Sequence, residues 1–307
     1  MSATDNDIDD SAAPLIEHLA ELRTRLIRSV LAFVVGMVIC FSFGSMILDF
    51  LLVPIEKTMR NLGNPNPVMQ YTAPQEYFFT LIRISMVGGL AISFPVIATQ
   101  LWRFVAPGLY KNEKNAFLPF LIASPVLFLM GAAFAHYVVV PLAMQFFLGF
   151  SDAASYLAAM IADGEASASG IDIVFNGKVN ESLDITLKMI VAFGLCFQLP
   201  VLLTLMGKAG LVDAPGLRRV RKYALVGILL LAAIVTPPDV VTQLILFVVV
   251  YGLYEVSIFL VSRVDAKREK RLRAEGFYDE DEDDFEAMAD EMDIEEPIIE
   301  DSKDDLK

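Results

Sequence analysis

Five strongly polar side chains interrupt otherwise apolar stretches of this chain, and they are its first candidates for function. They are Gln100, His136, Gln198, Gln243 and Glu255. A polar group inside hydrocarbon is costly, so such residues usually serve function or form hydrogen bonds between helices. For His136 we favour the packing interpretation. For Glu255, a carboxyl with no obvious basic neighbour in sequence, both interpretations stay open.

The sequence carries none of the common catalytic or nucleotide-binding motifs. It has no HExxH, GxSxG, GxxxxGK[ST] or GxGxxG pattern. Cys40 and Cys196 lie in apolar runs with no second thiol or histidine at a metal-ligand spacing, so we expect both to be buried hydrophobic residues. These features predict neither an enzyme nor a cofactor, and no metal or nucleic acid is expected as a ligand.

The polar residues lie on four of six apolar segments, and each of the six is a candidate transmembrane helix. Crossing a bilayer takes roughly 20 apolar helical residues. The segments are about 29–48, 79–101, 117–142, 183–206, 223–235 and 241–261. We therefore predict an all-α integral membrane protein of six transmembrane helices, with two short C-terminal spans. Pro95, Pro125 and Pro200 are expected to interrupt spans two, three and four.

Basic residues are distributed unevenly between the two sides that six spans create. Of the 24 lysines and arginines, 19 fall on the side of the two chain ends. Because basic loops are retained in the cytoplasm, both termini are predicted to be cytoplasmic. Arg83 and Lys188, near the outer ends of spans two and four, are expected to extend their charges towards the membrane surface.

The net charge of −14 comes from one terminal segment. Residues 275–307 hold 17 acidic and 2 basic side chains, whereas residues 1–274 hold 21 acidic and 22 basic ones. We divide the chain into an acidic N-terminal tail (1–13), a transmembrane domain (14–265), and a basic juxtamembrane segment with a disordered acidic tail (266–307).

Two predicted outer loops are long. The first, 49–77, contains Pro54, which we interpret as structural, and is expected to form a structured cap. The second, 143–182, includes an Ala/Ser/Gly-rich stretch at 162–170 that we expect to be flexible.

An amphipathic stretch precedes the first span. Pro14 suits a first helical turn, and Glu21 can pair with Arg25 one turn later. The stretch predicts a helix lying on the cytoplasmic membrane surface. Its apolar stripe consists of Leu15, Leu19, Leu22 and Leu26.

Four stretches in this order and topology resemble one family. They are 18–26 (HLAELRTRL), 104–113 (FVAPGLYKNE), 192–201 (AFGLCFQLPV) and 236–240 (TPPDV). They resemble TatC, the multi-spanning subunit of the twin-arginine protein translocase, over about residues 14–263. The resemblance implies a receptor in the bacterial cytoplasmic membrane that recognises signal peptides with consecutive arginines on folded cargo. It also implies self-association, contact with membrane lipid, TatA- and TatB-type single-span partners, and transport driven by the proton-motive force.

The resemblance assigns residues to signal-peptide binding. Glu21 and Glu113 match the acids that bind the peptide, and Arg23 matches a neighbouring basic position. The chemistry fits, because a carboxylate can accept two hydrogen bonds from the planar fork of a guanidinium, whereas lysine is a point charge.

Partner binding is assigned to the outer side. It maps onto Thr236 and Gln243, which flank the short fifth span and begin the sixth, with Asp239 as a further polar group at this turn. Gln198 occupies a position where many family members carry Glu, and a neutral amide cannot titrate. A different interpretation is a secondary transporter for a small solute, which Glu255 and the proline kinks would support.

Overall fold

The structure, a computed structural model, describes residues 4–62, 64–105, 118–161, 177–237 and 239–274. In these ranges the helices are α1 (Thr4–Ser42), α2 (Gly44–Asn61), α3 (Glu76–Val105), α4 (Leu118–Phe134), α5 (Val140–Ile161), α6 (Val179–Cys196), α7 (Leu199–Lys208), α8 (Ala214–Arg219), α9 (Arg221–Val235) and α10 (Val240–Ala274). A π-helical turn, Ala135–Val139, joins α4 to α5. Two short strands, β1 (Met69–Gln70) and β2 (Gly177–Lys178), pair in parallel.

Five stretches of the described chain are long and apolar enough to cross a membrane. They are His18–Ser42, Glu76–Phe104, Phe120–Phe150, Val179–Lys208 and Val240–Arg273. This agrees with the predicted all-α membrane protein. The remaining predicted span corresponds to α9, which has 15 residues. A helix of that length covers about 22 Å, less than a hydrocarbon core of about 30 Å, so the sixth span stays a prediction.

Helices α1 and α3 pack closely in antiparallel register. A Cβ atom on Gly36 would lie 2.9 Å from the carbonyl oxygen of Gly89, and one on Gly89 would lie 2.6 Å from the backbone nitrogen of Met37. At the next helix, a Cβ atom on Gly44, the first residue of α2, would lie 3.1 Å from the side chain of Leu81 of α3. Small residues thus let two backbones approach, which is a common way for membrane helices to pack.

The buried apolar residues form two clusters: a large one that includes Phe193 of α6 and Leu246 of α10, and a smaller one between α3, α4 and α7 that includes Phe128. Phe128 is 1% exposed, and Phe193 and Leu246 are fully buried. Phe128 also stacks on Phe94 of α3, with ring centroids 4.3 Å apart. The core therefore joins helices from both halves of the chain.

Of the three prolines that were predicted to interrupt membrane spans, only Pro200 lies at a helix break. Helices α3 and α4 continue through Pro95 and Pro125. Before Pro200, in contrast, α6 ends at Cys196 and α7 begins at Leu199. The prediction was wrong for Pro95 and Pro125 because a membrane helix can tolerate proline when neighbouring groups bond the freed backbone. The hydroxyl of Thr99 donates to the Pro95 carbonyl oxygen at 2.7 Å and that of Thr204 to the Pro200 carbonyl oxygen at 2.5 Å, so this contact does not distinguish the two prolines. Pro200 differs in its position, because it lies in the first turn of α7, where its missing N–H removes no helical bond.

The separate surface helix before span one was also predicted wrongly. The amphipathic stretch is part of α1, which runs without a break from Thr4 to Ser42. The helix therefore begins ten residues before Pro14. No glycine or proline lies in 15–35, so nothing in the sequence ends a helix there.

Two element boundaries differ from the prediction. The first span ends at Ser42 rather than near residue 48, and the outer segment then forms α2 and β1, which confirms a structured outer loop. Pro54 is buried within α2, where its carbonyl oxygen accepts a hydrogen bond from Thr58 at 2.9 Å. The last helix, α10, has 35 residues and extends beyond the predicted span 241–261, because it continues through the basic juxtamembrane segment. The predicted flexible stretch 162–170 and the acidic tail from 275 lie outside the described residues.

Candidate functional site

One end of the helix bundle, where α1 begins and α3 ends, is called here the basic end. The ring of His18 stacks on the ring of Phe104 there, with centroids 4.3 Å apart. Helices α3 and α6 start side by side at the opposite end, where Arg83 approaches Asp184 at 3.7 Å. Their far ends, including Lys208 at the end of α7, therefore also belong to the basic end.

Glu21 lies on α1 at the basic end and already binds a guanidinium. Its Oε1 accepts a hydrogen bond from Nε of Arg25 at 3.0 Å and a second from Nη2 of the same residue. Its Oε2 lies 4.0 Å from Nδ1 of His18. The Glu21 side chain remains 35% exposed. The carboxylate is thus partly shielded, yet open to a ligand from outside the protein.

Of the other two residues assigned to signal-peptide binding, the structure describes Arg23 but not Glu113. Arg23 is exposed on α1, two residues after Glu21. Glu113 lies outside the described residues. The structure therefore places one of the two predicted carboxylates, and the pairing of Glu21 with Glu113 stays a prediction.

At the opposite end, Asp239 begins α10. Its Oδ2 accepts a hydrogen bond from the backbone nitrogen of Thr242 at 2.7 Å, and its Oδ1 accepts one from the Thr242 hydroxyl. Asp239 is 2% exposed. A side-chain oxygen bonded to the third residue of a helix is a typical N-cap, so this carboxylate caps the start of α10.

The two outer partner-binding candidates have different surroundings. Thr236 is buried, and its hydroxyl donates to the carbonyl oxygen of Ala232 at 2.8 Å. Gln243 is half-buried on α10. Exposed apolar side chains, Val240 and Leu244, adjoin Gln243 along the helix. Of these two residues, Gln243 is therefore the one whose polar side chain is available on a membrane-facing surface.

Gln198 is engaged with another helix. Its Oε1 accepts a hydrogen bond from the Ser124 hydroxyl at 2.6 Å, and its Nε2 donates to the Ser124 carbonyl oxygen at 2.8 Å. This amide lies at the break between α6 and α7. Its two bonds join that break to α4, which is the packing role that polar groups commonly have between membrane helices.

Glu255 has a basic partner that the sequence alone does not reveal. Its Oε2 accepts a hydrogen bond from Nη2 of Arg221 at 2.6 Å, across 34 residues of sequence. Its Oε1 is buried and has no hydrogen-bond partner among the described residues. The expectation of a lone carboxyl was wrong, because Arg221 begins α9 and the antiparallel packing of α9 on α10 brings it there.

A charged cluster at the opposite end was missed. Asp184 binds Lys188 at 2.6 Å and lies 3.7 Å from Arg83, which also donates to Asn180 at 2.9 Å. The four-residue spacing of Asp184 and Lys188 was a visible signal, whereas the approach of Arg83 was not. Apolar side chains of α3, α6 and α9 continue from this cluster into an open groove of about 530 Å³.

His136 lies in the π-helical turn and is 3% exposed. Its ring stacks on Phe50 of α2, with centroids 4.6 Å apart, and neither ring nitrogen has a hydrogen-bond partner among the described residues. In the described part of the chain no three metal-ligating side chains lie close enough to hold an ion. These contacts favour a packing role for His136.

Comparison with known proteins identifies the family. The family model for TatC, Sec-independent protein translocase protein, matches residues 17–248. A Sec-independent protein translocase protein TatC from Magnetococcus marinus is 43% identical over 266 residues, which make up 87% of this chain and 90% of that protein. The protein of the same name from Aquifex aeolicus is 38% identical over 261 residues, or 85% of this chain and 100% of that one.

Solved structures give the same result. The crystal structure of a twin arginine translocase receptor, TatC, is 37% identical in sequence, with a TM-score of 0.65 over 81% of this chain and 99% of that chain. This likeness confirms the predicted helical membrane fold. The comparisons do not support the alternative prediction of a secondary transporter. The chain belongs to the TatC family of Sec-independent protein translocase proteins.

Proposed function

We propose that this chain is the receptor and core subunit of a twin-arginine translocase, and that it binds the twin-arginine signal peptides of folded proteins. One observation carries the proposal most directly. The carboxylate of Glu21, at the basic end and 35% exposed, already accepts two hydrogen bonds from a guanidinium. Its surroundings are therefore suited to the group that a signal-peptide arginine would present.

The proposed peptide site consists of Glu21, Glu113 and Arg23. Each carboxylate takes one arginine of the pair, and Arg23 adjusts the charge beside Glu21. The family's shared pattern supports Glu113, which follows α3 in the sequence. Arginine is preferred over lysine because its planar fork can satisfy both oxygens of a carboxylate.

The proposed location is the bacterial cytoplasmic membrane, with both termini in the cytoplasm. Support comes from the basic end, where α1 begins and where the arginine-rich segment 218–222 joins α8 to α9. The same end receives the C-terminal part of α10, with basic residues Arg271 and Arg273 in its last turn. Such an excess of positive charge on one side is typical of cytoplasmic surfaces.

On the outer side we propose a docking region for TatA- and TatB-type single-span partners. Gln243 and Thr236 mark it, and the exposed apolar residues Ile234 and Val240 surround them. Gln198 is proposed as a further contact, at which a partner group would have to replace Ser124. Transport would draw on the proton-motive force, with several receptor copies in one complex and no catalytic step in this subunit.

The peptide-binding proposal is tested by photocrosslinking of a twin-arginine signal peptide to the protein in membranes. We expect Glu21→Ala and Glu113→Ala to abolish the crosslink without reducing membrane insertion. Glu269→Ala is the matched control, because Glu269 also pairs with an arginine four residues later on the same side. Unchanged crosslinking in the Glu21 and Glu113 variants would overturn the proposed site.

The proposed cellular role is tested by export of a folded reporter that carries a twin-arginine signal. Cells depleted of this protein should retain the reporter in the cytoplasm, and the unaltered gene should restore export. Complementation by a gene that encodes Glu113→Ala should fail although the protein accumulates. Normal export in depleted cells would contradict the role.

A further inference from the structure

The guanidinium of Arg25 occupies the carboxylate that is proposed to receive an arginine of the signal peptide. Nε and Nη2 of Arg25 both donate to Oε1 of Glu21. The Arg25 side chain is 18% exposed, and that of Glu21 is 35% exposed. The contact thus pairs the same two chemical groups, inside one helix, that a peptide arginine would pair from outside, although it engages only one of the two carboxylate oxygens.

We propose that Arg25 is an internal competitor for Glu21, which must be displaced by a signal-peptide arginine and which sets the affinity threshold of the site. This inference rests on the proposed function. It adds a determinant of affinity, since Arg25 itself need not touch the peptide.

The local nature of the pair makes such an exchange feasible. Glu21 and Arg25 are four residues apart on one helix, so opening their ion pair requires a change of side-chain rotamers and no movement of a helix. The position of Glu21 does not depend on Arg25, because His18 anchors this part of α1 by stacking on Phe104 of α3.

Replacement of Arg25 by a peptide residue at Glu21 also explains why the site would have an affinity threshold. When a peptide guanidinium replaces Arg25, the charge-assisted hydrogen bonds to Glu21 are replaced in kind. A peptide lysine brings a point charge without the fork and recovers fewer of them. Since the cost of opening the internal pair is common to all ligands, a strong ligand still binds, whereas a weak one falls below a useful affinity.

A competitor has a specific signature in binding experiments. It weakens every ligand that uses Glu21 by the same factor, so its removal strengthens all of them by that factor. A residue that instead contacted the peptide or positioned Glu21 would weaken binding when removed. The direction of the change therefore distinguishes the two roles.

The experiment measures the affinity of the full-length protein, in detergent micelles, for a fluorescent twin-arginine signal peptide and for the same peptide with two lysines. Partly exposed ion pairs contribute modestly, so we expect Arg25→Gln to bind both peptides about two- to five-fold more tightly. The matched control is Arg28→Gln, which removes the same charge from an exposed position one turn further along α1. The gain in Arg25→Gln must exceed the gain in this control.

Two further variants isolate the mechanism. Arg25→Lys keeps the charge and removes the fork, so it should also tighten binding, and it keeps the test valid if Arg25→Gln does not fold. In a Glu21→Gln background, Arg25→Gln should gain no more than Arg28→Gln.

The outcomes separate this inference from the function on which it rests. Equal or weaker binding by Arg25→Gln, compared with Arg28→Gln, overturns the competitor role and leaves the receptor role intact. Absence of saturable binding to the unaltered protein overturns the proposed function and this inference with it.

Discussion

Two regions of this protein pair an arginine with a glutamate, but in different ways. In the N-terminal region, Glu21 and Arg25 are neighbours on α1, and the contact of α1 with α3 depends on closely packed glycines. In the C-terminal region, Arg221 of α9 pairs with Glu255 of α10 at 2.6 Å. The first pair belongs to one helix, whereas the second joins two.

The difference shows how position determines the role of the same chemistry. Opening the Glu21 pair leaves the helices where they are, so its carboxylate is free to exchange partners. Opening the Glu255 pair removes a link between α9 and α10. Beside it, the hydroxyl of Tyr254 of α10 donates to the carbonyl oxygen of Leu217 of α8, at 2.7 Å, which ties α10 to the helix that precedes α9. The C-terminal polar groups therefore hold a short helix in place.

The largest expected effect is on peptide affinity, and it should distinguish Glu21 from Glu255. Hydrogen bonds to charged groups contribute about 1.5–3 kcal/mol, so Glu21→Gln should weaken twin-arginine peptide binding by about 10- to 100-fold. Glu255→Gln, the matched control, should leave the affinity unchanged. Titration of a fluorescent peptide against each purified variant measures this. Similar losses in both variants would remove the distinction between the regions.

The next effect concerns how the helices pack. Gly89→Ala should lower stability by about 2 kcal/mol, since the added Cβ would overlap the backbone of α1. Gly252→Ala in α10 should leave stability unchanged or raise it slightly, because no atom lies within 4 Å of its added Cβ. Thermal unfolding in detergent compares the two. Equal effects would show that close packing is not special to α1 and α3.

A smaller effect measures the link between α9 and α10. The Arg221 and Glu255 side chains are 45% and 34% exposed, so their coupling should be no more than about 1 kcal/mol. A double-mutant cycle of Arg221→Gln and Glu255→Gln, followed by unfolding, gives this value. The equivalent cycle on Glu21 and Arg25 should change peptide affinity as well as stability. Zero coupling between Arg221 and Glu255 would contradict the structural role.

The smallest effect tests the polar contact in the middle of the bundle. Hydrogen bonds between membrane helices average about 0.6 kcal/mol, and we expect a coupling of that size between Ser124 and Gln198. The cycle uses Ser124→Ala and Gln198→Leu, again with unfolding as the readout. Because Gln198 also donates to the backbone of Ser124, Gln198→Leu alone should cost more than Ser124→Ala. The reverse order would contradict the observed geometry.

Much of the fold follows from patterns that the sequence shows directly. Apolar length identified the five long helices, and the structured outer segment around Pro54 was expected. The helix breaks were predicted less well. Pro200 lies in the first turn of a new helix and Pro95 lies inside a continuous one, although both are in apolar segments, and the apolar pattern alone does not distinguish these positions.

The candidate site was predicted in part. The pairing of Glu21 with Arg25 followed from a four-residue spacing, which is a property of any helix, whereas the assignment of Glu21 to peptide binding came from the family resemblance and stays a prediction. The partner of Glu255 did not, because Arg221 is 34 residues away in sequence. The hydrogen bonds between Gln198 and Ser124 could not be predicted for the same reason, because these residues are 74 positions apart in sequence.

The sequence by itself determined the class of protein, the family and the local pairs, since hydropathy, charge and short motifs act over a few turns of helix. The tertiary structure decided which polar groups meet across helices, such as Asp184 with Arg83 and Glu255 with Arg221. It also decided that α1 and α3 approach closely enough to exclude even a methyl group at Gly89. These contacts depend on helix packing, in which residues far apart in the chain become neighbours.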